Sequence, residues 1–243
     1  MKLYISKGVA NGRKVRAVAS HLGIDPELVW LDYFTGDVFS DAFARINPTL
    51  RLPALDDDGF VLWESTAIAK YFCGLRPGNH LYPEDLKIRA DIDRWLSWDL
   101  AHYNQHYALL SLEAVVKPKL LGLANDEAAI QWAIPHLHAN AAILEAHLEG
   151  RRYIVGDALT LADYAFGCSE FFQHRIPFDW SAYPNINAFY DRMRAEPHLA
   201  KTAVPPEEMG RRPDGEPPFQ TAADPSAAAR RFNPAPSALA ATH

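Results

Sequence analysis

The chain has 243 residues, 49% of them apolar and 22% charged, with a formal net charge of −6; that describes a globular protein of one large or two small domains. The acidic balance argues against nucleic acid or an anionic membrane as partner, and no run approaches the ~18 apolar residues of a membrane span. The amino-terminal MKLYISKGVANGRKVR is too short in apolar run for a signal peptide, and Cys73 and Cys168 supply neither a disulfide framework nor a C-x-x-C pair, so a cytoplasmic setting is expected.

The first 80 residues alternate strand and helix signals. LYIS (3–6) reads as a strand, and residues 13–21 as a helix closed by Gly23. LVWLDYF (28–34) reads as a second strand, and SDAFARI (40–46) as a helix capped by Ser40 and stopped by Asn47-Pro48. Residues 52–65 give two strands about a turn at Asp57-Asp58-Gly59, and STAIAKYF (65–72) a helix ending at Gly74. The order βαβαββα predicts one four-stranded sheet built from parallel crossovers and a hairpin. A Pro/Gly-bearing stretch from Gly74 to Asp85 reads as a linker. Beyond it only helical periodicity remains: a long helix from Ile88 to about Val116, then helices near 126–148, 160–173 and 184–195, with a capping box at Thr160–Asp163. From Pro205 the chain is Pro/Ala-rich and reads as an extended tail, whose Phe219 and Phe232 either cover a cleft or dock on the surface. The fold class expected is α/β plus all-α: a thioredoxin-like domain (1–80), a helical-bundle domain (86–204) and a tail (205–243).

Pro53 interrupts the apolar run Leu52-Pro53-Ala54-Leu55 where it forgoes a ladder hydrogen bond, a position proline tolerates only at an edge, a strand start or a bulge. In a thioredoxin-like sheet a proline at that strand start can be cis, turning the peptide groups of Leu52 outward to pair with an extended peptide. Glu64 and Ser65 then open a helix whose free N–H groups favour a carboxylate, with Glu64 available to a ligand ammonium. Backbone pairing, a carboxylate pocket and an ammonium partner together suit a small peptide with an α-amino-acid end.

These residues carry a resemblance. INPTLRLPALDDDGFVLWESTAIAKYF (46–72) resembles the glutathione-binding half of the soluble glutathione transferases, with its N-P-(x)4-P-A-L and E-S-x-A-I elements in order and spacing; SDAFARINP is similar to the theta-class version, and residues 153–164 and 183–197 resemble the family's helical domain. The whole is similar to bacterial theta-, beta- or nu-like members. The resemblance implies Leu52 as backbone partner of the cysteinyl residue at Pro53, Glu64 and Ser65 as the γ-glutamyl site, and Arg51 near the glycyl carboxylate. It further implies glutathione as co-substrate, a small apolar second substrate, a homodimer, and no metal or tightly bound cofactor.

The first loop departs from the family pattern. The beta-class cysteine position falls on Ala10 and the serine-type position on Val9. Asn11 is the nearest polar candidate to activate the glutathione sulfur, its amide donating to a thiolate beside the N–H of Gly12, and Ser6 is the one nearby hydroxyl. Tyr103, His106 and Tyr107 are expected to line the cleft facing the sulfur; His102 and His106, four apart on a helix, lack a third ligand. Arg13, Lys14 and Arg16 read as a solvated face, and both cysteines as buried and inert. The function expected is delivery of a glutathione thiolate to an electrophile, or glutathione-dependent thiol/disulfide or ether cleavage. The alternative is a glutathione-binding or scaffold protein without turnover, which the Val9-Ala10 pair favours.

Overall fold

The structure, a computed structural model, describes residues 1–219. Its amino-terminal part runs β1 (Lys2–Ile5), α1 (Ala10–His21), β2 (Glu27–Trp30), α2 (Asp41–Ile46), β3 (Ala54–Asp57), β4 (Phe60–Trp63) and α3 (Ser65–Gly74). The strands lie in the order β2-β1-β3-β4, with β1 parallel to β2 and the other pairs antiparallel. The period-two alternation of β1 divides the core. Leu3 and Ile5 face the large core shared with α1, α3 and the helical domain, whereas Tyr4 joins Leu31, Val38, Phe43, Leu52 and Ala54 in a smaller cluster beneath α2.

Local chemistry sets the element ends. The Ser40 hydroxyl accepts from the Phe43 N–H and starts α2 as expected. Gly23, at φ +62°, ends α1 while the Ile24 N–H reaches back to the Ala19 carbonyl, the six-to-one bond of a Schellman ending. At its other end α1 differs from expectation: it begins at Ala10, a turn before Arg13, with Val9 as an N-cap that lends no side-chain bond. Nothing polar announces that start.

The second half is helical: α4 (Leu86–Trp98), α5 (Asn104–Ser111), α6 (Glu127–Leu148), α7 (Leu161–Gly167), α8 (Pro184–Arg194) and the short α9 (Pro197–Ala200). The long helix anticipated from Ile88 is continuous from residue 86 to 121, but two stretches of it, Asp99–Tyr103 and Leu112–Leu121, are π-helical. Pro118, which has no N–H to give an α-helical ladder, lies in the second of them. Thr160 and Asp163 form the predicted capping box.

Arg13 and Lys14 do not form a solvated face. Arg13 is 2% exposed and binds Glu170 bidentately at 2.8 and 3.0 Å, with further bonds to the Cys168 carbonyl and the Thr202 hydroxyl; Lys14, 3% exposed, donates to Thr66. Because α1 is sandwiched between the sheet and the helical domain, its basic residues turn inward to polar partners on both sides. The tail folds back as well. The Lys7 N–H donates to the Arg211 carbonyl, the Gly210 N–H to the Lys7 carbonyl and the Tyr33 N–H to the Gly210 carbonyl, while Lys7 pairs with Glu208 and Arg212 with Asp37. Phe219 sits edge-on to Tyr4 and Phe43, docked on the smaller cluster rather than over a cleft; Phe232 lies outside the described residues.

Candidate functional site

Two adjoining cavities open where the β1–α1 loop meets the rest of the molecule. The first, about 390 Å³, is predominantly polar; Asn47, Thr49, Arg51, Leu52, Pro53, Glu64 and Ser65 form most of its wall. The second, about 260 Å³, is mostly apolar and is walled by Phe34, α5, the π-helical stretch after it, Phe172 and Met209-Gly210 of the tail. Val9, Asn11 and Tyr33 belong to both, so Asn11 stands at their junction.

The polar cavity is built by a loop and a helix start. Buried Asn47 organises the loop: its amide donates to the Arg51 carbonyl at 2.7 Å, and its Oδ1 accepts from the N–H and hydroxyl of Thr49. The Leu52–Pro53 bond is cis, as the sequence allows, and the β3 ladder begins only at Ala54 opposite Tyr4, which leaves the peptide groups of Leu52 outside the strand register. Across the cavity Glu64 is the N-cap of α3 at φ +75°, a left-handed conformation that a non-glycine residue adopts at a cost of roughly 1–3 kcal/mol. The first N–H groups of α3 have no acceptor within the helix. The space is therefore bounded by an anion-accepting helix end, a carboxylate, a guanidinium and extended backbone.

Asn11 lies in the first turn of α1, and its Oδ1 accepts from the Ser65 hydroxyl at 3.1 Å. That bond commits the oxygen and leaves the –NH2 as the donating side at the junction. Ser6 is not brought to either cavity: it is 2% exposed and its hydroxyl turns to the Arg211 carbonyl.

Of the three cleft aromatics expected, only Tyr107 lines the apolar cavity, and its hydroxyl donates to the Ser169 carbonyl. Burial drives the pKa of that hydroxyl far up, so it remains neutral. Tyr103 is in the core, paired through its hydroxyl with Tyr190. His106 faces α6, with Nδ1 beside the His102 carbonyl and Asn140 and its ring against His136. The helix presents residues 104, 107, 108, 111 and 112 to the cavity, one position round from the apolar stripe at 103, 107 and 110. Strong apolar periodicity marks the face a helix turns to the core, and a ligand cavity sits at that face's margin. Reasoning from sequence missed Asn47, Thr49, Tyr33, Asn104, Met209 and Gly210; among these only Asn47, ahead of Pro48, carries a local signal.

Residues 3–80 match the family described as glutathione S-transferase, N-terminal domain, and residues 103–197 the glutathione S-transferase, C-terminal domain. A probable glutathione S-transferase, GSTF2, of rice (Oryza sativa subsp. japonica) is 30% identical over 207 residues, covering 84% of this chain and 95% of the relative. The crystal structure of glutathione transferase F7 from Populus trichocarpa is 27% identical with a TM-score of 0.75, covering 83% of this chain and 96% of that one. A theta-class glutathione S-transferase from the citrus canker pathogen Xanthomonas axonopodis pv. citri, with glutathione bound, is 25% identical with a TM-score of 0.74, covering 83% and 95%. The chain belongs to the glutathione S-transferase family and is a glutathione transferase.

Proposed function

We propose that glutathione lies in the polar cavity with its sulfur at Asn11, directed into the apolar cavity where a small apolar electrophile, disulfide or ether substrate binds. The observation carrying this reading is the meeting of the two cavities at one amide donor. In this arrangement the N–H groups at the start of α3, with Ser65, take the γ-glutamyl carboxylate and Glu64 the ammonium. Leu52, ahead of Pro53, pairs with the cysteinyl peptide group, and Arg51 neutralises the glycyl carboxylate. Asn11 and the amino-terminal end of α1 favour the thiolate over the thiol; the proton leaves to solvent, and the sulfur forms the new C–S or S–S bond as the substrate's halide, thiolate or alkoxide departs with the bonding electron pair. Glutathione enters as co-substrate, and the residues assigned here require no other cofactor.

Several finer readings accompany this one. The Asn11 site and the SDAFARINP stretch support a theta- or nu-like member of bacterial type, whereas Ala10 at the beta-class cysteine position weighs against a beta-class mechanism. Domain limits of 1–80 and 86–204, with a tail from 205, follow the linker and the return of the chain at Lys7. A cytoplasmic location fits two free, buried cysteines, whose pKa values burial pushes up to about 12 for Cys73 and about 11 for Cys168. Among the described residues no helix is long and apolar enough to cross a membrane. A homodimer is supported by the edge strand β4, where Phe60, Val61 and Trp63 are 53%, 40% and 39% exposed, and by the exposure of Leu86 and Ile88 on α4. A monomeric mass by light scattering at micromolar concentration overturns the dimer.

Steady-state turnover of an aryl halide with glutathione, beside calorimetric binding of glutathione alone, tests the main reading. Binding with turnover is expected. Binding without turnover towards a panel of electrophiles and disulfides makes the protein a scaffold, and absence of binding removes the site assignment.

A further inference from the structure

At the opposite end of α1 from Asn11, ten residues and so about 15 Å along the helix, lies a cluster that the glutathione site does not use. His21 closes α1, Glu196 caps α9, and His198 follows two residues on. One ring nitrogen from each histidine and one Glu196 carboxylate oxygen all lie within 4.8 Å of one another, and all three residues are half-buried. The His80 ring, from the segment joining the two halves, stands 4.9 Å centroid to centroid from that of His21.

Each imidazole is already oriented by a hydroxyl: His21 Nδ1 is 2.9 Å from the Tyr164 hydroxyl, and His198 Nδ1 is 2.9 Å from Ser20 Oγ. Such outer partners fix the tautomer and ring direction of metal-bound histidines. Glu196 is held too, one oxygen accepting from the Leu199 N–H at 2.7 Å. Two imidazoles and a carboxylate form a three-residue donor set suited to Zn2+, which takes a fourth ligand to complete a tetrahedron.

We propose that His21, His198 and Glu196 form a divalent-metal site of zinc type, with His80 or water as fourth ligand, which fastens the end of α1 in the sheet domain to α9 in the helical domain. The metal is a clasp here, with no part in the transfer reaction. A resident ion at this place links two elements that must stay together for the two cavities to share Asn11.

The test uses the full chain, stripped with a chelator and titrated with Zn2+ alone at pH 7.5. One equivalent per chain is expected, with a rise in melting temperature that the chelator reverses, and with Co2+ an absorption band of a four-coordinate ion. His21→Gln and His198→Gln should each weaken uptake at least tenfold, while His136→Gln, in the separate histidine group by α6, leaves it unchanged. If either of the first two fails to fold, Glu196→Gln and His80→Gln decide the matter, the former weakening uptake and the latter weakening it less. No stoichiometric uptake, or uptake that survives His198→Gln or is lost with His136→Gln, overturns the site.

Discussion

The two cavities that meet at Asn11 are built in opposite ways. The polar one takes most of its wall from residues 47–65, a contiguous loop, hairpin and helix start whose recognition groups are peptide units, a carboxylate and a guanidinium in fixed places. The apolar one is gathered from the β1–α1 loop, the stretch after β2, α5 and its π-helical continuation, Ser169 and Phe172, and the returning tail. A site of the first kind reads one ligand closely, since an unmatched buried polar group costs about 1–3 kcal/mol. A site of the second kind offers area and shape, where a single methylene changes selectivity by only about 1–3 kcal/mol. One constant substrate and one variable substrate suit that division.

The largest effect is expected at the junction. Asn11→Ala removes a donor to the developing thiolate, typically worth about 1.5–3 kcal/mol, so turnover at neutral pH should fall ten- to a hundredfold while the apparent pKa of the pH–rate profile rises. Glutathione affinity should change far less. Unchanged rate and pKa would place the sulfur elsewhere, and loss of activity in Ser6→Ala instead would mean that Ser6 leaves the Arg211 carbonyl to act on the sulfur.

Next is Glu64→Ala, which deletes the ammonium partner and should weaken glutathione binding by about 2 kcal/mol, some thirtyfold by calorimetry. An apolar fluorescent probe of the second cavity should bind wild type and variant alike. Equal glutathione affinities would end the assignment of the polar cavity; a matched loss of probe binding would show that the cavities are not independent.

A smaller and one-sided effect is expected from the tail. Gly210 has φ +77°, and a Cβ there would stand 3.1 Å from Phe34 Cε2, so Gly210→Val must shift the backbone that pairs with Lys7 and Tyr33. Because Met209 and Gly210 wall the apolar cavity and not the polar one, KM for the second substrate should rise by up to about tenfold, with glutathione affinity kept. A parallel fall in glutathione affinity would give the tail a share in both sites.

The same contrast explains what could be read from the sequence. Turn residues, a proline at a strand start and a helix-opening Glu-Ser act over a few positions, so the succession of strands and helices and the wall from Arg51 to Ser65 follow from neighbouring residues; the antiparallel pairing of β1 with β3, where parallel crossovers were expected, does not. The apolar cavity depends on which helix face meets which partner across more than a hundred residues. Tyr103 and His106 show the consequence, since the helix turns a different stripe to the cavity. Arg13 is a second instance: a basic run looks solvated until Glu170, 157 positions away, is brought against it.

Asp99 should affect neither ligand, although it lies in the π-helical stretch just before α5 and is coupled electrostatically to Lys14 of α1. It is 3% exposed, and burial pushes its pKa from 3.8 up to about 7, against the pull of Lys14. A carboxyl whose folded pKa exceeds its unfolded value favours the folded state fully below pH 3.8; that contribution is lost progressively as pH rises through about 7. The loss amounts to a few kcal/mol across the window. Asp99→Asn keeps the shape and cannot ionise, so its melting temperature should match wild type only below about pH 3.8, exceed it already at pH 5, and keep a margin that widens to about pH 7 and is level by pH 8. At about 2–4 °C per kcal/mol for a chain of this size, the gap is readily measured. Glutathione affinity and second-substrate KM should stay level throughout. Parallel melting curves would mean that Asp99 is ionised at both pH values and held by Lys14, and the seam between the domains would then contain a second buried ion pair beside Arg13 and Glu170.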